Sequence, residues 1–194
     1  MIQGINSQGW ALPPFVIFKG KQYQSTWFEE DFPEDWQLSL SSNGWTTNQH
    51  GLEWLKHFDL HTRSRSKGQK RLLITDAHES HKSPEFIDYC SQNNIICLWM
   101  PPHASHLLQP LDVGCFSPLK TAYSKQIEHL VKNKIYYITK VEFLLAFKQA
   151  FDQAFTLSNI QGAFRGSSIF PFDPKAVLSR VGLAIRTPSL ELPT

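Results

Sequence analysis

A chain of 194 residues, with 41% hydrophobic and 19% charged residues, is long enough for one globular domain with a sizeable core. Its formal net charge of +2 excludes a strongly basic or acidic protein and permits a DNA partner without indicating one. Three cysteines without C-x-x-C spacing predict reduced, mostly buried thiols. Because the sequence has no stretch of membrane-spanning length and no signal-peptide pattern, we expect an intracellular protein with no membrane contact.

The first third of the sequence has the pattern of short strands joined by turns. Residues 1–6 and 12–18 are separated by turn-forming residues at 6–9, which predicts a β-hairpin. Alternating apolar residues predict a third strand over residues 36–42. Between these strands, the aromatic and acidic segment 21–33 is expected to form a packed loop.

A helix and a basic segment come next. Thr46 or Thr47 can cap the first turn of an amphipathic helix. The helix is expected to end before residues 63–71, where arginines and lysines are interspersed with serine, glycine and glutamine. Such a run indicates a solvated loop, with direct contact to phosphates as the alternative.

The middle of the chain predicts a strand, a helix and a second strand. The strands are residues 72–75 and 95–100, and Ser83 is expected to cap the helix between them. This order predicts a parallel crossover. Because residues 95–100 are apolar without interruption, we expect helices to cover both faces of this strand. The predicted buried side chains of the intervening helix are Phe86, Ile87 and Cys90.

The remaining sequence is helical in pattern. The predicted helices cover residues 113–134, Thr139 to Phe155, the Ser158–Asn159 pair to Gly166, and the residues up to Arg180 after an aromatic turn at 170–174. Residues 1–135 are expected to form an α/β core, with residues 136–194 as a helical extension of the same domain.

Two aspartates carry the clearest chemical signal. Asp76 directly follows the apolar strand that ends at Thr75, and Asp112 stands just before a long helix. A carboxylate at the carboxyl end of a buried strand faces the crevice where α/β sheets bind ligands. Divalent cations such as Mg²⁺ and Mn²⁺ prefer oxygen ligands, so both aspartates are candidate catalytic residues and metal ligands. The alternative is that each aspartate caps a helix or a turn.

Two histidine pairs adjoin these aspartates. The first pair, His78 and His81, follows one aspartate, and the second pair, His103 and His106, precedes the other. Zinc sites with this histidine spacing normally include cysteines. We therefore expect the four histidines to support the metal ligands or to contact DNA, with a zinc site as the less favoured alternative.

Four tryptophans in the first quarter of the chain have two interpretations. Aromatic side chains in strand-rich segments are usually part of the core, which is the assignment we favour. The alternative is stacking on DNA bases. The residues concerned are Trp10, Trp27, Trp36 and Trp45.

Long stretches of the sequence resemble the DDE superfamily endonuclease domain of pogo and Tigger-like transposases. The resemblance is strongest over residues 72–81 (LLITDAHESH) and 100–120 (MPPHASHLLQPLDVGCFSPLK). It extends to residues 5–20 (INSQGWALPPFVIFKG), to SNGW at 42–45 with LEWL at 52–55, and to residues 164–174 (FRGSSIFPFDP). Essentially the whole chain is therefore covered.

This resemblance implies an RNase H-like fold, in which helices flank a mixed sheet. It also implies a triad of acidic residues that binds two Mg²⁺ or Mn²⁺ ions and cuts and joins DNA strands, with Asp76 as the second acidic residue and Asp112 as the third. DNA is thus the implied partner and the nucleus the implied compartment. Self-association is left open.

One member of the family pattern has no counterpart in the sequence. In the family the first aspartate lies on a central strand upstream of the predicted hairpin, and none of Asp31, Asp35 and Asp59 follows an apolar strand as a substitute. Loss of that strand is expected to leave unpaired backbone groups inside the sheet. We therefore expect a transposase remnant with weak metal affinity and no DNA cleavage of its own. The alternatives are a domesticated, non-catalytic module that binds DNA or protein, and a fragment without independent function.

Overall fold

The computed structural model describes residues 1–24, 27 and 33–180 as short parallel strands and longer helices, which confirms the predicted α/β class. The strands are β1 (Phe15–Lys19), β2 (Gln37–Ser41), β3 (Arg71–Thr75) and β4 (Ile95–Trp99). The helices are α1 (Asn48–Thr62), α2 (Pro84–Gln92), α3 (Ser105–Leu108), α4 (Phe116–Lys132), α5 (Lys140–Ala154), α6 (Leu157–Gly166) and α7 (Pro174–Leu178). Short 3₁₀ turns cover residues 63–65 and 79–81, and a π-helical turn covers residues 111–115. Most of the predicted loop 21–33 lies outside the described residues.

The strands form two parallel pairs. β1 lies beside β2 and β3 lies beside β4, so the predicted parallel crossover is confirmed. Among the described residues these two pairs are not joined into one sheet. The mixed RNase H-like sheet therefore stays a prediction.

The predicted N-terminal hairpin exists only as two antiparallel bridges. They join Ile2 to Phe15 and Ile5 to Ala11, so residues 1–6 do not form a regular strand. The second predicted strand begins at Phe15 rather than at Leu12. Proline has no N–H to donate to a ladder, which accounts for the late start after residues 13–14.

Most helix starts follow the predicted caps. The Thr47 hydroxyl accepts a hydrogen bond from the N–H of His50 at the start of α1, and Ser83 accepts one from Phe86 at the start of α2. Thr139 caps α5 in the same way. α6 begins earlier than predicted because Thr156, rather than the Ser158–Asn159 pair, provides its cap.

Within the described part of the chain, three apolar clusters pack these elements together. The first lies between β1, α1, β3 and α2, and the second lies between β1, α4 and α5. The third joins the π-helical turn to α6, where Gly114 allows a close approach: a Cβ at this position would lie 2.7 Å from the Cβ of Ala163. The closely packed turn therefore fixes the position of Asp112.

The prediction that helices cover both faces of β4 is wrong. Ile95 is buried, but Ile96 and Leu98 are 49% and 52% exposed, and their neighbour Leu72 on β3 is 59% exposed. α2 packs against one face of the β3–β4 pair, and no described element covers the other. On α2 itself Ile87 is also exposed, contrary to prediction, whereas Phe86 and Cys90 are buried.

The cysteines agree with the prediction of reduced thiols. Cys90, Cys97 and Cys115 are all free, and the first and last are buried. Burial raises the pKa of Cys115 to about 11, so this thiol is neutral at physiological pH.

The basic segment 63–71 was predicted to be a solvated loop, but both of its ends are held by ion pairs. Its two ends form ion pairs with the buried carboxylate of Asp59 on α1, through Arg63 and, at 2.6 Å, through Arg71. Tyr89 donates a further hydrogen bond to Asp59 at 3.2 Å. Arg71 also donates to the carbonyl of Asn93, so this cluster joins the end of α1, the start of β3 and the end of α2. The same cluster explains why Asp59 is no substitute for the first aspartate.

We predict that Asp59→Ala lowers the free energy of unfolding by about 3–5 kcal/mol, because it leaves the largely buried guanidinium of Arg71 without its carboxylate partner. Burial alone would raise the pKa of Asp59, but hydrogen bonds from Arg71 and Arg63 outweigh it and lower this pKa. The ion-pair stabilisation is therefore present above the ordinary aspartate pKa of about 3.9 and is lost as pH falls below it. Urea unfolding at neutral and acidic pH measures both effects.

The matched control is Asp152→Ala, which removes the exposed ion pair between Lys148 and Asp152 on α5. Such pairs contribute at most about 0.5 kcal/mol on a helix surface. An equal loss of stability in both variants would contradict the assignment of Asp59 as the anchor of β3.

Candidate functional site

A cavity of about 830 Å³ brings together segments that are distant in the sequence. Residues 1–8 line one wall, and β3 with Asp76 lines another. Leu111 and Asp112 of the π-helical turn line the same cavity, as do Phe164 and Phe170. The two predicted metal ligands therefore face a common space, although they belong to separate elements.

Asp76 is held by its neighbours at the end of β3. Its Oδ1 accepts a hydrogen bond from the N–H of His78 at 3.3 Å, and Nδ1 of His81 lies 2.9 Å from the same oxygen. A carboxylate can only accept, so Nδ1 of His81 carries the proton in this contact. The turn-capping role considered for Asp76 is thus present, and it engages Oδ1 rather than Oδ2.

His81 is fixed from several sides. Its side chain is 11% exposed, and its ring lies against Phe86 with centroids 5.7 Å apart. Its carbonyl accepts a hydrogen bond from Nε1 of Trp99 on β4 at 3.1 Å. Nδ1 also lies 2.9 Å from the hydroxyl of Thr75. A packed histidine of this kind fixes the orientation of the carboxylate that it contacts.

The surroundings of Asp76 favour its charged form. The hydrogen bond from His81 lowers the pKa of Asp76 most strongly, and it outweighs the opposing effect of partial burial. The charge of His81, when protonated, and the hydrogen bond from the His78 backbone act in the same direction. An ionised carboxylate is the form that a metal ion requires.

Asp112 is exposed and lies in the first turn of the π-helical segment. Buried Leu111 and Cys115 anchor this turn on either side of it. The residue that immediately precedes α4 is Cys115, so Asp112 does not cap that helix. Its carboxylate therefore remains open to the cavity.

The four predicted histidines fall into two groups. His78 and His81 line the cavity with the aspartates, whereas His103 and His106 are exposed and lie outside its lining. His103 adopts a positive φ of 60° in the loop before α3. The first pair therefore lies near the candidate metal ligands and the second pair does not, and a DNA contact by the histidines stays a prediction.

The described side chains meet only part of the requirements of a metal centre. Within the described residues, no group of three or more His, Cys, Asp or Glu side chains is placed to bind a metal ion together. Asp76 and Asp112 supply oxygen ligands of the type that Mg²⁺ and Mn²⁺ prefer, but among the described residues they are the only two carboxylates that line the cavity. The predicted zinc alternative gains no support from the histidines, since two of them lie elsewhere.

Two backbone edges face the cavity in addition to the side chains. Arg71 donates to Asn94 and Thr75 accepts from Met100, so alternate residues of β3 direct their backbone groups to β4. Leu72 and Ile74 therefore direct theirs to the opposite edge, which pairs with no strand among the described residues. Leu72 and Ile74 both line the cavity.

Residues 1–6 present the second of these edges. Ile2, Gly4 and Asn6 form backbone hydrogen bonds with residues 10–15. Because backbone groups alternate in direction along an extended segment, those of Gln3 and Ile5 point away from residues 10–15. Gln3 and Ile5 both line the cavity. Two unpaired edges thus border one cavity, in agreement with the unpaired backbone groups that the sequence predicts inside the sheet.

Part of the basic segment 63–71, for which phosphate contact was the alternative to a solvated loop, also lines the cavity. Arg65, Lys67 and Lys70 line the cavity near the start of β3. The guanidinium of Arg65 lies 4.7 Å from the ring centroid of Trp10, which positions it there. The cavity therefore has cations near one end of β3 and carboxylates at the other.

Comparison with known proteins gives one family and two relatives. The model for the family described as DDE superfamily endonuclease matches residues 1–164. The chain is 54% identical over 187 residues to "MFS-type transporter clz9" of Cochliobolus lunatus, which covers 96% of the chain and 20% of that protein. It is 47% identical over 68 residues to "Chaetoglobosin A biosynthesis cluster protein C" of Chaetomium globosum, which covers 35% of the chain and 17% of that protein. No solved structure matches.

The chain thus spans a fifth or less of the length of these relatives. Across the part of the chain that the structure describes, no helix is both long enough and apolar enough to cross a bilayer.

We predict that His81→Phe raises the pKa of Asp76 relative to the unsubstituted protein, because it removes the donor that stabilises the carboxylate. His81→Asn, whose amide can still donate, should raise it less. Carboxyl ¹³C chemical shifts followed through a pH titration measure this pKa. An unchanged pKa of Asp76 in His81→Phe would show that the histidine does not control this carboxylate.

Proposed function

We propose that this chain, which belongs to the DDE superfamily endonuclease family, is a DNA-processing domain of the pogo transposase type. Its ancestral reaction is divalent-metal-dependent cleavage and transfer of DNA strands, with Asp76 and Asp112 as two of three acidic ligands. We further propose that the chain by itself binds metal weakly and does not cut DNA. The observation that carries the proposal is the convergence of Asp76 and Asp112 on one cavity.

The environment of Asp76 supports its assignment as a ligand. Hydrogen bonds from His81 and His78 engage Oδ1 and favour the ionised form. Oδ2 is thereby left for a cation, and Asp112 offers both of its oxygens at the exposed end of its turn. Mg²⁺ or Mn²⁺, when bound, would polarise a DNA phosphate and stabilise the charge that develops during strand cleavage.

The number of ligands argues against independent catalysis. Two carboxylates leave half of the charge of two divalent ions uncompensated, and the described residues contain no third acidic group beside them. Because the donors are of the right type but too few, the chain's own contribution is to hold two carboxylates in place. A third must come from another segment or another chain.

The unpaired edges around the cavity indicate how a third carboxylate could be supplied. An extended segment between Leu72 and Ile74 on one side and Gln3 and Ile5 on the other could pair with both edges. An aspartate at its end would then face the same cavity as Asp76. This arrangement corresponds to the central strand of an RNase H-like sheet, the fold that we propose for the complete domain.

The remaining assignments follow from the proposed reaction. DNA is the substrate and the nucleus is the proposed compartment. Residues 1–135 are proposed to be the catalytic core and residues 136–194 its helical extension. The word transporter in the name of one relative applies to that protein, of which the match covers only a fifth.

A second candidate function is a non-catalytic module that binds DNA or protein. Two observations favour it: the absence of a three-ligand cluster among the described residues and the exposed apolar face formed by Leu72, Ile96 and Leu98. Such a module would bind its partner independently of divalent metal.

We predict weak Mn²⁺ binding by the 194-residue chain, detected by electron paramagnetic resonance, that Asp76→Asn and Asp112→Asn each abolish. Labelled duplex DNA should not be nicked by the chain with Mg²⁺ or Mn²⁺. An apolar, extended peptide that ends in aspartate should raise the Mn²⁺ affinity by at least tenfold, since it adds a third ligand. The same peptide ending in asparagine is the matched control.

Each outcome has a defined meaning. Mn²⁺ binding that survives in both Asp→Asn variants would refute the assigned site. Metal-dependent nicking by the chain alone, lost in Asp76→Asn, would keep the site and refute the proposed inactivity. DNA binding without any Mn²⁺ binding, with or without peptide, would favour the non-catalytic module.

A further inference from the structure

Trp45 is exposed, in contrast to the core position expected for it. Its side chain is 75% exposed, whereas Trp27 is buried and Trp36 packs against Phe147 with ring centroids 5.5 Å apart. The guanidinium of Arg65 lies over the ring of Trp10. Among these four tryptophans, Trp45 alone makes no ring contact within the described residues.

The backbone around Trp45 is held in one conformation. Its N–H donates to Oδ1 of Asn43 at 2.9 Å, and its carbonyl accepts from the hydroxyl of Ser41 at 2.8 Å. Gly44 adopts a positive φ of 84°, a conformation that favours glycine, and donates to the carbonyl of Ser41. The indole is therefore presented from a fixed turn, so that binding a ligand would order few additional groups.

This turn lies beside the cavity that contains the carboxylates. Thr46, the next residue, lines the same cavity as Asp76 and Asp112. The first turn of α1 then packs against the segment that follows Asp76: a Cβ at Gly51 would lie 2.2 Å from the carbonyl oxygen of Ser80. Trp45 is thus attached to the elements that build the proposed metal site.

The chemistry around Trp45 fits a nucleic acid better than an apolar protein surface. Ser42, Asn43 and Thr47 around it are polar and exposed, so the indole is a single apolar plane rather than part of a patch. One aromatic plane matches the flat face of a nucleobase. Exposed Lys19 adjoins the turn, with its Cβ 3.4 Å from the position of a Cβ on Gly44, and offers a cation to the phosphate backbone.

We propose that Trp45 stacks on an unpaired base of a DNA strand at the mouth of the cavity and so positions that strand against Asp76 and Asp112. This inference rests on the proposed function, since it takes DNA as the ligand of the same site. Unpaired bases near a cleavage site expose the π-face that an indole can cover, and such stacking does not depend on base identity. Trp45 is in this sense a positioning residue.

The test compares Trp45→Ala and Trp45→Phe in the 194-residue chain by fluorescence anisotropy with labelled oligothymidine at several salt concentrations. The alanine variant should bind about tenfold more weakly, and the phenylalanine variant should retain most of the affinity. The slope of affinity against salt should not change in Trp45→Ala, because stacking releases no counterions, whereas Lys19→Ala should reduce it. Tyr137→Ala is the control, since Tyr137 is 81% exposed and lies outside the cavity lining.

The results separate this inference from the proposed function. If the unsubstituted chain binds the oligonucleotide and Trp45→Ala binds equally well, stacking by Trp45 is refuted and the proposed function stands. Equal losses in Trp45→Ala and Tyr137→Ala would also refute a specific role for Trp45. If the unsubstituted chain binds neither single-stranded nor duplex DNA, both proposals fail. Urea unfolding should give equal stabilities for all variants, because the substituted side chains are exposed.

Discussion

The need to pair backbone groups on both sides of β3 is the constraint on which the rest of the structure depends. One edge of this strand is satisfied by β4, and the other faces the cavity together with the unpaired edge of residues 1–6. Buried backbone N–H and C=O groups without partners cost as much as lost hydrogen bonds, so these edges remain stable only while water or another segment pairs with them. The same geometry makes the cavity both a source of instability and a place where an extended segment can bind.

The two ends of β3 are fixed by different interactions. At its start, Arg71 is fixed by buried Asp59, which also attaches the strand to α1 and α2. At its end, Asp76 is fixed by His81, itself packed against Phe86. Because both ends of this short strand are fixed, the carboxylate of Asp76 has little freedom to move. The position of Asp76 therefore depends on the ion-pair cluster at the far end of the strand as well as on its own contacts.

Sequence patterns located the features that depend on local chemistry. Thr47 and Ser83 were identified as caps because a cap needs only its own hydroxyl and the next turn of helix. Asp76 was identified because a carboxylate after an apolar strand stands at the edge of a sheet. The exposed face at Leu98 was not predicted, since an apolar run indicates a buried strand but does not reveal which neighbouring layers are present. The exposure of Trp45 was not predicted for a related reason, because it is set by the turn at Gly44 rather than by the residue type.

The direction of β3 limits how a third carboxylate can reach the site. The strand rises about 3.3 Å per residue, so the cations near its start and Asp76 at its end are separated by roughly 16 Å. An inserted strand that ran antiparallel to β3 would place its carboxyl end beside Lys70 and Arg65, far from Asp76. Only a parallel strand brings a terminal aspartate next to Asp76 and Asp112. Its first residues would then lie among the cations, where an acidic or backbone carbonyl group could be accommodated and a further basic residue would be repelled.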